Sequence, residues 1–424
     1  MTNLKKPIAH CCVFLLSAMI TTACFSPWQG GDKGTITINL GGSARSAMPW
    51  PPQDHGILEQ LNHIIILTGN GESITRTAKG GEIVRAYVVP GIWDVKVDAY
   101  LDGVHYATGT NSVNVIAGQN NFVAITMSQT LTGTVSITGT AQVGQMLTVN
   151  IYALGGTGTP NYQWKRNGNP IPGETTSTYT LRNDDRGTDI TVTVTRDNYS
   201  GVATGIVPAF GFNASTSTIV GFFSSDRNIV IPSSINGVAV TTIGDALGGA
   251  NTGVFENLEI NSVVLPSGIT RIGTRALEDN PITTVTLPEG LLSIGDTAFA
   301  NTSLTSITIP ASVTEIGTSA FLGCSSIEEI VFLPGISLLS IPYWAFSYTV
   351  ATTLVIPNTV TSIGMGAFAG NNWISITIPA NVVITDYGAP IEDRWRSFCR
   401  FYQNTNRLAG TYTFSTITDS WAGP

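Results

Sequence analysis

The sequence predicts a multidomain, almost wholly β protein: two all-β sandwich domains, then a repeat solenoid of parallel strands with irregular or short helical returns, closed by a C-terminal cap. Three observations lead there. The 424 residues make about three domains at roughly 150 residues each. Charged residues are 11% and apolar residues 42%, with 45 Gly and 21 Pro; this excludes a disordered chain, since disorder needs high charge and low hydrophobicity. From residue 229 onward, aliphatic-proline steps recur at a near-constant interval. The formal charge of −8, from 20 Lys+Arg against 28 Asp+Glu, leaves no basic field to follow a phosphate backbone, so nucleic acid is excluded as a partner.

Residues 1–23 have the layout of an export signal. Lys5 and Lys6 precede an apolar run from Ile8 to Ile20, interrupted by His10 and Ser17, that is too short to span a bilayer comfortably and is followed by small residues. Ile20-Thr21-Thr22-Ala23-Cys24 resembles a bacterial lipobox, in which a small residue precedes a cysteine that becomes the lipidated N-terminus. The resemblance implies lipidation of Cys24 and a tether over 24–33; Thr21 stands where Leu is usual, and simple cleavage is the alternative outcome. One acyl chain anchors only marginally, so stable attachment needs the two or three chains that such a lipoprotein carries. No later run reaches the roughly 18 apolar residues of a membrane helix. Cys11, Cys12 and Cys24 fall in this region, leaving Cys324 and Cys399 for the body, so core burial rather than a disulfide framework is expected to hold the fold.

Over 34–129, the runs Thr35 to Leu40, His63 to Thr68, Ile83 to Val89, Trp93 to Leu101 and Phe122 to Met127 are rich in Ile, Val and Thr. The turn signals Asn70-Gly71, Pro90-Gly91, Asp102-Gly103 and Gly118 to Asn120 separate them. Strict alternation in Trp93-Asp94-Val95-Lys96-Val97-Asp98-Ala99 predicts a half-buried antiparallel strand. The entry Pro90-Gly91-Ile92-Trp93-Asp94-Val95 resembles the prealbumin-like or carboxypeptidase-regulatory type of β-sandwich. Over 130–208, strands are predicted at Leu147 to Ile151, Tyr162 to Arg166, Tyr179 to Leu181 and Ile190 to Thr195. Tyr162 to Gly168, Ser177 to Leu181 and Asp185 to Val194 resemble strands C, E and F of a bacterial immunoglobulin-like module, which makes Trp164 the buried strand-C tryptophan. Val149 or Ile151 and Val192 stand where that framework carries its cysteines, giving up a crosslink usually worth about 2–5 kcal/mol. Trp164 and Trp93 are either core residues or sugar platforms.

The third region, 209–388, repeats itself. Pro232, Pro266, Pro288, Pro310, Pro334, Pro357 and Pro379 are spaced 34, 22, 22, 24, 23 and 22 residues apart. In the clearest copy, Leu304 to Cys324, the aliphatics Leu304, Ile307 and Ile309 reproduce the strand of a leucine-rich repeat, whose period is about 20–29 residues. The strand Ser306 to Ile309 ends at Pro310, which cannot donate the next ladder hydrogen bond. Val313 and Ile316 carry the chain back, Gly317 permits the turn, Ala320 keeps the coils close and Phe321 fills the interior. Ile294-Gly295 with Ala298-Phe299, and Ile363-Gly364 with Ala367-Phe368, repeat the set. Ser340-Ile341-Pro342 lacks the glycine, which marks that coil as the irregular one. A single coil cannot bury its apolar face alone, so stacking supplies the stability. The segment from Thr218 onward, including Ile231-Pro232 to Gly244 and the tail Phe398 to Tyr402 with Gly410 to Thr413, resembles the BspA-like, or treponemal-type, leucine-rich-repeat family of bacterial surface proteins. The resemblance implies a curved solenoid on the cell surface that binds proteins, host or matrix components among them, without enzyme activity.

Outward strand positions form the predicted ligand-binding face: Ser262 and Val264, Thr284 and Thr286, Ser306 and Thr308, Glu329 and Val331, Thr353 and Val355, Ser375 and Thr377. This is a ribbon of hydroxyl and β-branched side chains with one carboxylate and no anion clamp; strand propensity alone also accounts for these residue types. In 389–424, Trp395, Phe398, Cys399 and Tyr402 fall on one helical face, as a cap over the last coil requires. His55, His63 and His105 form no metal motif, and no nucleophile elbow or phosphate loop occurs. Glu328/Glu329 and Asp184/Asp185 are sequence neighbours that point apart on a strand and cannot share a reaction centre. Cys324 and Cys399 lie three coils apart, roughly 14 Å at about 4.8 Å per strand, too far for a disulfide. No catalytic residue, metal or cofactor is predicted. The expected protein is non-enzymatic, lipid-anchored in the bacterial cell envelope and surface-exposed, with a repeat head that binds a protein ligand and a membrane contact only through its N-terminal lipid. A structural envelope lipoprotein scaffolding a periplasmic or outer-membrane complex, and a glycan-binding surface module, are the competing functions.

Overall fold

The computed structural model describes residues 33–40, 59–156, 158–197, 199–244, 252–385 and 393–424; the export signal, Cys24, the tether to residue 32 and His55 lie outside the described residues. The chain forms two compact units, Met1–Thr130 and Leu131–Pro424. The described residues are almost free of helix: they hold one α-helix, Arg394–Asn404, and one 3-10 turn, Asn183–Asp185.

In the first unit, Gly34–Asn39 pairs antiparallel with Ile83–Val88 and parallel with Asn120–Val123. A second sheet runs in the order Ser128–Thr130, Val104–Val115, Gly91–Leu101, Asn62–Gly69, Glu72–Lys79. The alternation from Trp93 puts Trp93, Val95 and Val97 into a core with Ile36, Ile38, Ile65 and Leu67. Glu72–Lys79 and Val104–Val115 were not predicted, because their residues are mostly polar. The signal that finds them is the turn before each. Asn70-Gly71 (φ 50 and 79) and Asp102-Gly103 (φ 50 and 80) both lie in the left-handed region, the two-residue hairpin geometry that obliges a strand on either side. The strand predicted over Phe122 to Met127 is shorter and earlier, Asn120–Val123.

His63 takes an inward position opposite Ala99 and Ala78 and is 2% exposed, with Nδ1 lacking a partner. Burial holds its imidazole below the ordinary 6.5, and a backbone hydrogen bond at Ala78 offsets this only in part.

The second unit begins with two sheets around Trp164. One runs in the order Thr178–Thr180, Met146–Asn150, Ser136–Thr138; the other runs Asn169–Pro170, Pro160–Arg166, Ile190–Arg196, Ala203–Ile206. Leu147, Val149, Val192 and Trp164 share the core, with Ile151 partly buried against it, so apolar packing joins the two sheets. Asp185 is fully buried. It accepts from Arg166 Nε (2.9 Å) and Nη2 (2.6 Å), Tyr179 Oη (2.8 Å) and the Arg182 backbone N–H (2.7 Å). Burial, then the Asp185 hydrogen bond, push the Tyr179 phenol up to about 12.

From Thr218 on, short parallel strands join successive repeats. Thr218–Phe222, Thr242–Ile243, Arg271–Ile272, Ser293–Ile294 and Glu315–Ile316 form one ladder; Ser340–Ile341, Ser362–Ile363 and Val383–Ile384 form another. The break falls at the coil that lacks the glycine. Inside, Phe299, Phe321, Phe346 and Phe368 stack face to face at 5.2, 5.1 and 5.6 Å, within 7° of parallel. The N–H groups of Phe255, Leu277, Phe299, Phe321 and Phe346 donate to Ala276, Ala298, Ala320, Ala345 and Ala367 of the next coil at 2.8–2.9 Å. A buried polar row runs beside them. Asn280 donates to Phe255 O and accepts from Ile260 N, Asn371 donates to Phe346 O and accepts from Thr349 N, and Thr302 bonds to Cys324, whose Sγ reaches Phe299 O at 3.0 Å. Cys324 therefore fills a hydrogen-bonding position of the repeat; it and Cys399 are buried and neither is in a disulfide.

The returns are irregular, and no described residue in them is helical. Gly317 has a role different from the one predicted. The left-handed residues are Arg275, Thr297, Ser319 and Trp344 (φ 57, 49, 57 and 55), just before the alanines, whereas Gly295, Gly317 and Gly364 do not have positive φ. These glycines are needed for close approach: a Cβ at Gly295 would lie 2.6 Å from Gly273 C, one at Gly364 2.6 Å from Tyr343 N, and one at Gly317 would overlap Asp296 N.

At the C-terminal end, Trp395 closes on Phe368 at 4.9 Å, and Trp395, Phe398, Cys399 and Tyr402 are buried, as the helical periodicity predicts. Asp393 caps the helix through Arg396 N (2.8 Å) and also accepts from Gly370 N. In the preceding coils the N–H in that row donates to a carbonyl of the next coil, as Tyr348 N does to Ala369 O. Asp393 thus substitutes for the coil that does not follow.

Two measurements follow from these contacts. Because folded His63 binds fewer protons than unfolded His63 below pH 6.5, its contribution is full above that pH and is lost as pH falls toward the lowered folded value. The urea midpoint of the first unit should fall between pH 7.5 and 5.5 and fall less in His63→Leu; a wild-type midpoint constant over that window would contradict this. Gly317→Ala should destabilise the second unit by about 1–3 kcal/mol through overpacking, whereas Gly268→Ala, whose Cβ meets only Val240 O at 3.5 Å, should stay within about 0.5 kcal/mol.

Candidate functional site

The outward ribbon is built by strand alternation. In Ser306–Ile309, Ile307 and Ile309 are buried while Ser306 and Thr308 are exposed. The same holds across the repeats: the twelve side chains from Ser262 to Thr377 named above are all exposed or half-buried, with Val264 and Val355 more than half exposed. Parallel pairing aligns Ser306 with Glu329 and Thr308 with Val331, and Thr353 with Ser375 and Val355 with Thr377. Thr284 and Thr286 lie outside assigned ladders, and a bond from Thr305 N to Thr283 O (3.1 Å) ties their coil to the next.

Neither end of the ribbon stops where the sequence pattern stops. At the start, Asn228–Val230 pairs with Ser262–Val264, and Ser262 Oγ donates to Asn228 Oδ1 at 2.9 Å. At the far end, the cap strand Gly410–Ser415 pairs antiparallel with Ser375–Ile378, with Thr377 Oγ1 and Thr411 Oγ1 at 2.9 Å. Asn228, Val230, Thr411 and Thr413 therefore extend the face. Their signals were present as Ile229 to Pro232 in the proline series and as the alternation Gly410-Thr-Tyr-Thr-Phe414.

The ribbon is chemically plain. No Lys, Arg or His occurs from Ala276 through Asp393, so the face holds hydroxyls, β-branched groups and the Glu329 carboxylate. Among the described residues no group of three or more His, Cys, Asp or Glu is placed to hold a metal ion. In the first unit Asp98 is held by several partners: Lys96, Thr108 and His105 all reach it. Burial pushes its carboxyl up, but those three contacts outweigh it and hold it below the usual range.

Both tryptophans proposed as sugar platforms are fully buried. Trp164 stacks on Tyr179 at 5.2 Å and donates Nε1–H to Thr176 O; Trp93 donates to Val89 O. No ring face is open to a sugar, so the glycan alternative fails at these residues. In the cap helix, Arg394 lies 4.6 Å over the Phe414 ring and donates to Asn372 O.

The sequence matches the family described as BspA type Leucine rich repeat region, in six copies over residues 250–375 and 339–389. No curated protein matches the chain. Among solved structures it is similar to the pneumococcal vaccine antigen PcpA (21% identity, TM-score 0.32, covering 46% of this chain and 49% of that one). It is also similar to a leucine-rich repeat protein from Bacteroides ovatus ATCC 8483 (21%, 0.25, 41% and 64%) and to a leucine rich cell surface protein from Faecalibacterium prausnitzii A2-165 (21%, 0.17, 42% and 75%). The chain spans about half the length of the first of these and under two thirds of the second. With its parallel ladders, inward phenylalanines and buried asparagine-type row, the segment 250–389 is a BspA-type leucine-rich repeat region.

Proposed function

We propose that this is a non-enzymatic protein of the bacterial cell surface whose leucine-rich repeats bind a protein partner through the ribbon from Asn228 to Thr413. In this reading the chain is held to a membrane by lipid at Cys24, and its order is tether, two β-sandwiches, then the repeat solenoid. The observation that carries the reading is the ribbon itself: an aligned row of outward hydroxyl and β-branched side chains on a scaffold whose interior is closed. A flat face of this kind suits broad shape recognition with side-chain hydrogen bonds. The lack of any cation from Ala276 through Asp393 gives the middle of the ribbon nothing to pair with a polyanion and favours a neutral or basic protein surface there. The match to the BspA type leucine-rich repeat region supports a place at the bacterial cell surface.

Cells fed a fatty-acid analogue should label the wild-type chain and not Cys24→Ser, and protease added to intact cells should cleave the repeats; a repeat region that survives while another surface protein is shaved would leave the envelope-scaffold function instead. Thr308→Arg with Thr353→Arg, both exposed, should leave stability within about 0.5 kcal/mol. The pair should weaken binding to immobilised extracellular-matrix proteins at least tenfold; unchanged binding would remove the ribbon from the site.

A further inference from the structure

The second β-module, Leu131 to Val207, and the first repeat are built into each other. Phe222 ends the strand Thr218–Phe222 and Phe223 follows it, and their side chains enter different cores. Phe222 packs in the repeat core with Phe210 and Phe255 at 5.4 and 5.3 Å, while Phe223 lies in the module core with Trp164, Tyr179 and Leu181. One dipeptide therefore belongs to both cores. Backbone contact is equally close: a Cβ at Gly211 would overlap the Ala141 carbonyl, and one at Gly221 would sit 2.6 Å from it.

The loop after Asp185 reaches onto the first repeat from the other direction. Arg186 Nη2 donates to Gly253 O (2.5 Å) and Glu256 O (3.1 Å). Gly187 N donates to Phe222 O at 3.0 Å, and Arg227 Nη1 donates back to Gly187 O at 3.1 Å. Asp189 accepts from the backbone N–H and hydroxyl of Ser225. These bonds spring from the segment anchored by buried Asp185, so the module's own ion pair positions them.

An array of coils has two open ends, and each needs a cover that is not another coil. The helix and Asp393 cover the last one. We infer that the module from Leu131 to Val207 is the cover of the first, so that residues 131–424 fold and unfold as one cooperative unit and the ribbon is presented by a body that includes the module, not by repeats on a flexible stalk. The inference holds whatever the ribbon binds.

Hydrogen exchange on the full-length chain tests it. Trp164→Phe is a core substitution remote from the ribbon. It should speed exchange in the module strand Ile190–Arg196 and in the repeat peptides around Ile260 and Ile272 by the same factor, about tenfold or more, as expected of one cooperative opening. Leu67→Ala, in the first unit, should leave both unchanged. Faster exchange confined to the module, with the repeats at wild-type rates, would overturn the inference. If Trp164→Phe does not yield soluble protein, Arg186→Ala provides the same readout: exchange near Phe255 and Ile260 should rise about tenfold, and wild-type rates there would overturn the inference equally.

Discussion

Face-to-face contact between successive coils governs the second unit. The ring centroids of Phe299, Phe321, Phe346 and Phe368 lie 5.1–5.6 Å apart, and at that spacing almost nothing else can stand between two coils. Alanine precedes each ring because a larger side chain would push the coils apart. Glycine stands at 295, 317 and 364 because the neighbouring backbone occupies the place of a Cβ. The returns turn through left-handed residues, most of them not glycine, at a cost of about 1–2 kcal/mol each. Burying a phenylalanine is worth about 1.5–3 kcal/mol, and each coil adds backbone hydrogen bonds to its neighbour. The stack wins, and the backbone accepts the less favourable conformation.

The same requirement explains the two ends and the polar interior. Backbone groups that would be satisfied by a following coil need another partner, and the Asp393 carboxylate takes the Gly370 N–H. Asn280, Thr302, Cys324 and Asn371 are buried without penalty because each has carbonyl or amide partners in its own or the adjacent coil. Burial pushes the Cys324 thiol up, so it stays protonated and inert. The surface left over is the outward ribbon, and its low charge follows from what the repeat needs: β-branched and hydroxyl residues on a strand, proline at its end, glycine against the neighbour.

Much of this was legible as spacing. The proline series located the repeats, and the missing glycine at Ser340-Ile341-Pro342 identified the coil that departs, where the ladder breaks. Alternation placed Trp93 and Trp164 on strands, but whether an indole faces a core or a sugar depends on a second sheet that no local pattern describes. Glu72–Lys79, at the sheet edge, and Val104–Val115, inside the sheet, escaped notice because mostly polar strands lack an apolar signature, although Asn70-Gly71 and Asp102-Gly103 announced their hairpins. Asp184 and Asp185 looked alike in the chain; only Asp185 is enclosed by Arg166 and Tyr179.

Local pattern was sufficient for the period, the inward and outward faces and the helical cap, since each depends on residues within one coil or one strand. It was not sufficient for the reason behind Gly317, for Asp393 acting as a surrogate coil, or for the sharing of Phe222 and Phe223 between two cores. Those depend on which backbone lies against which, and residues far apart in sequence meet only after the chain has packed. Tertiary contact therefore joined the second module and the repeats into one unit, where composition had suggested a boundary.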